Sequence, residues 1–337
     1  MPKRFIFMGI FVLIITASAW AAADSWQKKH QFQEAAESED IQEAEAEVHS
    51  DSVPISIVTS LFPWYDLSKE IGGDKVSVKL ILPPGVEAHA FEPTPGDMIA
   101  VSKADLFVYT GDYMEPWAQD ILGGLDGSAP ESLVIGKDLA VLQGEEHEHE
   151  DESGEDEHGH SGLDPHIWLD PMIMSQAAGR LAQTLAKIDA DNKDYYNQRL
   201  ERYRARLEKL DLDYRSSLSK CRQNNFIYAG HYAFGYLAAR YGLDYQAAQG
   251  FSPDAESSPQ QLSEMISALK EGKADYIFAE ELDNPQLAQS LAKDAGLKIL
   301  MLNSAHNVSK DDLKAGITYE QIMRNNLKEL VIGLKCQ

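Results

Sequence analysis

The chain has 337 residues, 44% of them hydrophobic, and its formal net charge is −24. This length exceeds one average domain and favours two domains of ordinary size. The negative charge argues against nucleic-acid binding, because the phosphates would repel the chain.

The negative charge is concentrated in two short segments. Eight acidic residues lie between Glu34 and Asp51, and nine more lie between Glu145 and Glu157. Without these two segments the net charge would be −7, an ordinary value for a soluble protein. The acidity therefore describes two segments and not the folded domains.

Residues 1–23 are typical of a secretory signal peptide. Lys3 and Arg4 supply the positive charge, residues 5–15 form the apolar region, and the alanine-rich residues 17–23 offer cleavage sites. The apolar run is short for a membrane span, so an uncleaved anchor is the less favoured alternative. Because no cysteine lies near the cleavage site, we expect no lipid anchor. These features predict a soluble protein in the periplasm.

Residues 24–52 are acidic and rich in glutamine, alanine and serine, which predicts a disordered leader or, as an alternative, a transient helix. From Val53 onward, short hydrophobic strands alternate with helices. Strands are predicted at residues 55–59, 76–82, 106–109 and 133–135, and a helix at residues 95–103. This alternation predicts a parallel sheet with helices on both faces, so residues 53–170 form a first α/β lobe.

An acidic, histidine-rich loop at residues 144–162 interrupts this lobe. It contains His147, His149, His158 and His160. Such a tract favours weak, solvated metal sites, so we predict that it captures metal; a solvated acidic insertion without that role is the alternative. The loop leads directly into the segment Asp164-Pro165-His166-Ile167-Trp168-Leu169-Asp170, which holds a histidine between two Asp-Pro turns.

Residues 171–219 contain the longest helical pattern. Apolar residues recur there at helical spacing, and Gly179 is the single glycine before Ser219. One interpretation is a rigid helix that links two lobes. The other is a pair of packed helices, broken near residues 189–192. We favour the single linking helix, in part because of the family resemblance described below.

Residues 220–337 repeat the α/β pattern and predict a second lobe. Strands are predicted at residues 226–229, 276–279 and 297–302, and helices at residues 233–241, 259–270, 285–295 and 319–334. Both cysteines of the chain, Cys221 and Cys336, lie in this lobe. They could form a disulfide in an oxidising compartment, but sequence alone does not place their Cα atoms within bonding range.

Four histidines remain outside the leader and the acidic loop: His89, His166, His231 and His306. They lie 77, 65 and 75 residues apart, and three of them follow predicted strand ends. Open α/β sheets bind ligands beyond the carboxyl ends of their strands. A lone histidine is more often structural, but four in this pattern predict a site between two lobes for zinc, copper, iron or nickel.

The chain from Val53 to Lys335 resembles the zinc-binding receptors of bacterial ABC importers, the ZnuA type within the metal-binding solute-receptor family. The matching motifs are Ser60-Leu61-Phe62-Pro63, residues 84–95 (PGVEAHAFEPTP), residues 164–171 (DPHIWLDP) and residues 231–236 (HYAFGY). The resemblance implies two α/β lobes joined by one long rigid helix, with metal in the cleft between them. It also implies a charged loop before the second ligand.

The resemblance implies that His89, His166 and His231 are the three histidine ligands. Manganese and iron relatives tend to carry a carboxylate at the third position, so His231 favours zinc. The fourth position varies in the family, and His306 is the best candidate there. The other polar residues expected around the site, as hydrogen-bonding partners and not as ligands, are Asp164, Asp170, Glu280 and Asn303.

The function that the resemblance implies is a periplasmic zinc receptor, a monomer that delivers Zn²⁺ as cargo to the membrane permease of an ABC transporter. Four imidazoles leave no open coordination position for activating water, so we predict no enzymatic activity. The alternatives are a manganese or iron receptor and a metal-dependent adhesin on the same fold. A zinc hydrolase is weaker, because the chain lacks a His-Glu-x-x-His helix. Unperturbed imidazoles would release the metal as the pH falls through about 6.5.

Overall fold

The computed structural model describes residues 53–125, 127, 129–139, 142, 163–251, 259–271, 274–282 and 286–337. The predicted signal peptide, the acidic leader and the loop with His147, His149, His158 and His160 lie outside these residues. Across the described ranges, no helix is both long enough and apolar enough to span a membrane.

The first lobe contains a four-stranded parallel sheet. Its strands are β1 (Ile55–Thr59), β2 (Val76–Leu80), β3 (Leu106–Tyr109) and β4 (Glu131–Val134), in the order β2-β1-β3-β4. Its helices are α1 (Phe62–Gly72), α2 (Pro95–Ser102) and α3 (Trp117–Gly123). All four side chains of β3 are buried, as expected for a central strand covered on both faces. The segment after β2 carries His89 at the carboxyl edge of this sheet.

The long linking helix is present, but it begins later than the predicted residue 171: residues 171–219 form a separate helix, α4 (Pro171–Ile188), followed by the long helix α5 (Lys193–Leu218). Asp189 leaves the helical conformation, and its carboxylate accepts hydrogen bonds from Asn192 at 2.7 Å and from the Tyr196 hydroxyl at 2.8 Å. Because these local bonds compete with the helix backbone, the helix breaks at Asp189. A 3₁₀ turn (Ala190–Asn192) then continues into α5, and α4 packs along α5.

The second lobe repeats the topology of the first. Its strands are β5 (Asn225–Tyr228), β6 (Asp244–Ala247), β7 (Tyr276–Glu280) and β8 (Lys298–Leu302), in the order β6-β5-β7-β8. Its helices are α6 (Gly235–Tyr241), α7 (Pro259–Lys270), α8 (Gln286–Ala295), α9 (Lys310–Ala315) and α10 (Tyr319–Gly333). Every strand pair named here is parallel, which confirms the predicted fold class.

A continuous hydrophobic core lies between the two sheets. Helices α1, α4, α5 and α10 contribute to it, and its largest fully buried side chains include Trp64, Trp168, Tyr203, Tyr214 and Tyr319. A smaller cluster covers the outer face of each sheet. Each sheet is therefore buried on both faces, and the long helical segment of 29 residues from Ala190 to Leu218 runs through the shared core into the second lobe.

Cys221 and Cys336 form a disulfide, as the sequence suggested. The bond joins the end of α5 to the end of the chain, and the same two residues form an isolated antiparallel bridge. The Lys335 carbonyl also accepts a hydrogen bond from the Arg222 backbone N–H at 3.4 Å. The disulfide therefore attaches the last residues of the chain to the end of the linking helix.

We expect a Cys221→Ser/Cys336→Ser variant to lose about 2–5 kcal/mol in the free energy of unfolding, because the bond closes a long loop in the unfolded chain. The two cysteines are separated by 115 residues. Guanidinium unfolding of the variant and of the parent protein, each with and without reductant, measures this loss. Reductant should destabilise the parent alone, and an equal unfolding midpoint for parent and variant would contradict the expectation.

Candidate metal centre

His89 lies in an irregular segment between β2 and α2. The Glu87 carboxylate accepts hydrogen bonds from the backbone N–H groups of His89, at 2.9 Å, and of Ala90, at 2.7 Å. These bonds turn the backbone around the histidine. His89 is partly exposed, whereas His166, His231 and His306 are buried, so solvent reaches the four-histidine group from the side of His89.

His166 is fully buried, and its orientation is set by Asp164. One carboxylate oxygen, Oδ1, accepts hydrogen bonds from the His166 backbone N–H at 2.9 Å and from its ring Nδ1 at 2.8 Å. The proton on Nδ1 leaves the Nε2 lone pair free for a metal. Burial raises the pKa of the Asp164 carboxyl to about 8 and lowers the pKa of His166 well below its ordinary value, so the ring is neutral.

His231 follows β5 and is 1% exposed. Its Nδ1 is buried and has no hydrogen-bond partner among the described residues. Burial first, and then the nearby imidazoles of His166 and His306, lower the pKa of His231 well below its ordinary value. The ring is therefore a neutral imidazole, the form that binds metal.

The three imidazoles meet at their Nε2 atoms. The Nε2 atom of His166 lies 3.3 Å from that of His89 and 3.3 Å from that of His231. Two nitrogens at about 2.0–2.1 Å from a tetrahedral zinc ion lie roughly 3.3–3.4 Å apart, from the tetrahedral angle. In the described part of the chain, these three histidines form the group whose ligand atoms all lie within 4.8 Å of one another. Their spacing fits three corners of a zinc tetrahedron.

His306 lies beside this group. Its ring centroid is 5.9 Å from that of His231, and burial lowers its pKa to about 3. Its ring Nδ1 is hydrogen-bonded to the Ser304 hydroxyl. The loop that carries it is held against the first lobe, since the Trp168 indole N–H donates to the Ser304 carbonyl at 2.7 Å. His306 is thus a buried, neutral imidazole next to His231, outside the group of three whose ligand atoms all lie within 4.8 Å of one another.

The structure gives Asp170 a role different from the predicted one beside the ligands. Its Oδ1 accepts from the Met172 and Ile173 backbone N–H groups at the start of α4, at 2.7 and 3.3 Å, and its Oδ2 pairs with Arg240 at 3.2 Å. A carboxylate at a helix N-terminus satisfies backbone donors that the helix leaves unpaired. Asp170 therefore fixes α4 and connects it to α6.

Asn303 and Glu280 lie behind His306. The Asn303 side-chain oxygen accepts a hydrogen bond from the Ala305 backbone N–H at 2.8 Å, and Ala305 has a φ of 60°. This bond supports a backbone conformation that a residue with a Cβ rarely adopts. Glu280 is 3% exposed and accepts a hydrogen bond from the Tyr228 hydroxyl at 2.7 Å. Both residues shape the loop around His306.

The sequence interpretation missed Ser304 and Glu87, although one pattern points to both. A polar residue stands two positions before three of the four histidines: Glu87 before His89, Asp164 before His166, and Ser304 before His306. In each pair the polar side chain is hydrogen-bonded to the histidine, at its backbone or at its ring. Local hydrogen bonds of this kind are available to Asp, Glu and Ser in turns.

Comparisons with known proteins point to zinc-uptake proteins. A family model described as "Zinc-uptake complex component A periplasmic", ZnuA, matches residues 57–333. The high-affinity zinc uptake system protein ZnuA of Bacillus subtilis (strain 168) is 36% identical over 276 residues, which cover 82% of this chain and 86% of that protein. The zinc-binding lipoprotein AdcA of Streptococcus pneumoniae is 35% identical over 277 residues, but the chain spans only 55% of its length.

Solved structures show the same fold. The laminin-binding adhesin Lmb of Streptococcus agalactiae matches with a TM-score of 0.73 and 32% identity, covering 83% of this chain and 99% of that one. Zn(II)-bound AdcA of Streptococcus pneumoniae matches with a TM-score of 0.71 and 33% identity, covering 85% of this chain and 59% of that one. With its family model matched from residue 57 to residue 333, this chain belongs to the ZnuA family of zinc-uptake receptors.

Proposed function

We propose that this protein binds Zn²⁺ between its two lobes through His89, His166 and His231, with His306 as the fourth ligand. We propose further that it delivers the ion to the membrane permease of an ABC importer. The observation that carries the proposal is the 3.3 Å spacing of the Nε2 atoms, which corresponds to nitrogens that share one tetrahedral zinc ion.

The chemistry of the candidate ligands supports zinc over manganese. Burial keeps His166, His231 and His306 neutral, because it lowers the pKa of each ring. Imidazole nitrogens suit zinc, whereas manganese prefers carboxylate and water oxygens. A set of four imidazoles with no carboxylate therefore favours a zinc receptor over a manganese receptor.

Delivery to a permease rests on the family. The matching family model describes a component of a zinc-uptake complex, and the Bacillus relative is named as part of a high-affinity zinc uptake system. As a member of this family the chain is a transport receptor and not an enzyme. The similarity to a laminin-binding adhesin is a similarity of fold. A zinc receptor accounts for the buried histidines, and no adhesin function is needed to explain them.

Zinc titration of the metal-stripped protein tests the proposal. We expect one tight equivalent of zinc, with manganese unable to displace it. A His306→Ala variant should bind zinc about 10–100-fold more weakly, as expected when a group that completes or supports a zinc site is lost. Isothermal titration with a competing chelator measures both affinities. If His306→Ala bound zinc with unchanged affinity, the fourth ligand would be water or a carboxylate and not His306. If the parent protein bound zinc only weakly, the proposed receptor function would be wrong.

Several further features stay predictions. Some relatives are named lipoproteins. For this chain we propose, from the sequence, a soluble periplasmic form without a lipid anchor. The same holds for the monomeric state, the absence of nucleic-acid partners and the capture of zinc by the histidine-rich loop. We also retain the domain boundaries proposed from the sequence at residues 53, 171 and 220.

A further inference from the structure

The loop at residues 303–308 belongs to the second lobe by sequence, but hydrogen bonds attach it to the first lobe. The His306 carbonyl accepts from the Phe62 backbone N–H at 3.2 Å, and the Ser304 carbonyl accepts from the Trp168 indole N–H at 2.7 Å. The loop therefore lies where it can connect parts of the site that come from different lobes.

Asn307 extends these bonds to the segment that follows β2. Its side-chain N–H₂ group donates to the Pro83 carbonyl at 2.8 Å and to the Val86 carbonyl at 2.7 Å. Its Oδ1 accepts from the Val308 backbone N–H at 2.8 Å, and the Val308 carbonyl accepts from the Gly85 backbone N–H at 3.0 Å. Asn307 is 1% exposed, so these bonds are shielded from water.

The segment that Asn307 bonds, residues 83–86, is a tight turn. The Val86 backbone N–H donates to the Pro83 carbonyl at 3.1 Å. Pro84 and Gly85, which has a φ of 77°, occupy the two central positions, as is typical of a type II turn. Pro83, Gly85 and Val86 are exposed, so solvent covers the turn on its outer side. Hydrogen bonds from the second lobe fix the turn on its inner side.

His89 lies three residues beyond this turn. The Val86 carbonyl, which Asn307 bonds, directly precedes Glu87 in the chain. The Glu87 carboxylate in turn accepts from the His89 backbone N–H at 2.9 Å. A displacement of the turn would therefore move Glu87 and with it the backbone of His89, whose Nε2 lies 3.3 Å from that of His166.

We propose that Asn307 is a positioning residue that holds His89 in place for the metal, by bonding the turn at residues 83–86 from the second lobe. The proposal rests on the proposed function, because it takes His89 as a zinc ligand. His89 is partly exposed, whereas His166 and His231 are buried, so packing alone orders His89 least. A ligand that is ordered before the metal arrives lowers the entropic cost of binding.

An Asn307→Asp variant tests this role. Aspartate keeps an oxygen for the Val308 N–H but places a second oxygen, without hydrogens, against two carbonyl groups. We expect the Gly85 and His89 amides of the metal-free variant to exchange with deuterium at least about tenfold faster than in the parent. Zinc affinity, measured with a competing chelator, should fall about 10–100-fold.

Two further variants make the comparison specific. Asn307→Leu also lacks the donors but adds no charge, so it should behave like Asn307→Asp, and it serves as the test if that variant does not fold. Asn326→Asp is the matched control: Asn326 is 2% exposed and bonds the backbone of Asn303, at 2.7 and 2.9 Å, within the second lobe. It should leave amide exchange at Gly85 and His89 within about threefold of the parent.

Double variants identify the ligand through which Asn307 acts. If Asn307 positions His89, the Asn307→Asp change should cost little further zinc affinity once His89 is alanine, because that ligand is already lost. In a His306→Ala background the same change should keep its full effect. The opposite pattern would mean that Asn307 acts through its neighbour His306, and the proposal would be wrong.

The outcomes separate this inference from the zinc proposal. Parent-like amide exchange and parent-like zinc affinity in Asn307→Asp would overturn the positioning role and leave the receptor intact. Equally fast exchange at Gly85 and His89 in Asn326→Asp would also overturn it, since the effect would then be a general loosening of the second lobe. Failure of the parent protein to bind zinc would instead refute the proposed function, whatever the exchange rates.

Discussion

Replacing His166 by alanine is expected to weaken zinc binding by at least about a hundredfold, since changes to residues beside zinc ligands alone cost about 10–100-fold. His166 is the centre of the three-nitrogen group, with Nε2 atoms of His89 and His231 each at 3.3 Å. The change also leaves the buried Asp164 carboxyl without its ring partner.

Competition titration with a zinc chelator measures this loss, and His158→Ala is the matched control. That control removes an imidazole of the same size from the acidic tract and should leave the tight equivalent unchanged. Thermal unfolding of the metal-free variants separates loss of a ligand from loss of the fold. If His166→Ala kept an affinity within about threefold of the parent, with a parent-like unfolding temperature, the three-histidine group would not be the zinc site.

The placement of the candidate ligands was predictable because it depends on local sequence. His231 lies shortly after β5, and the rule that ligands gather at the carboxyl ends of parallel strands places it at that edge of the sheet. The convergence of the three rings was not predictable, because a separation of 3.3 Å depends on how two lobes pack across a shared core. Hydrophobic periodicity indicates which face of an element is buried, but not which surfaces meet.

Two details that differ from the expectation have a common cause. The break at Asp189 and the role of Asp170 both depend on which nearby donors an aspartate finds. Asp170 was expected among the hydrogen-bonding partners of the ligands, but it accepts from the unpaired N–H groups at the start of α4. Strand β6 was missed because it is a four-residue edge strand with alternately exposed residues. Short polar segments carry little periodic signal.

The two halves of the site differ in how they meet water, and the difference suggests an order of events. His89 is partly exposed, whereas His166 and His231 are buried. An ion that arrives from solvent would thus meet His89 beside two preorganised nitrogens. A site whose ligands are already neutral and oriented spends little binding energy on ordering them, which favours high affinity.

Acid release of zinc is expected well below the pH at which ordinary histidines titrate. Zinc binds unprotonated imidazole, so protons compete with it only when the pH approaches the pKa that each ring has in the metal-free protein. Burial lowers this pKa well below 6.5 for His166 and His231, and to about 3 for His306. The expectation from the sequence, release as the pH falls through about 6.5, therefore moves to lower pH.

The sign of the effect on stability follows from the same shifts. The unfolded chain takes up protons on these histidines as the pH falls below about 6.5, whereas the folded metal-free protein does not until the pH is much lower. Folding stability contributed by the neutral rings is thus present above about pH 6.5 and is lost progressively as the pH falls below it. The buried carboxyls of Asp164 and Glu280 act with the opposite sign, because burial raises their pKa values in the folded protein to about 8 and about 7 and the folded state therefore binds their protons first as the pH falls.

Zinc affinity measured by chelator competition from about pH 8 to about pH 4.5 tests this expectation. We expect an affinity, corrected for the chelator, that changes less than about threefold between pH 7.5 and pH 6 and falls only at lower pH. A steep loss of affinity between pH 7 and pH 6 would mean that the ligands titrate as exposed imidazoles do, and burial would then not be what keeps them neutral.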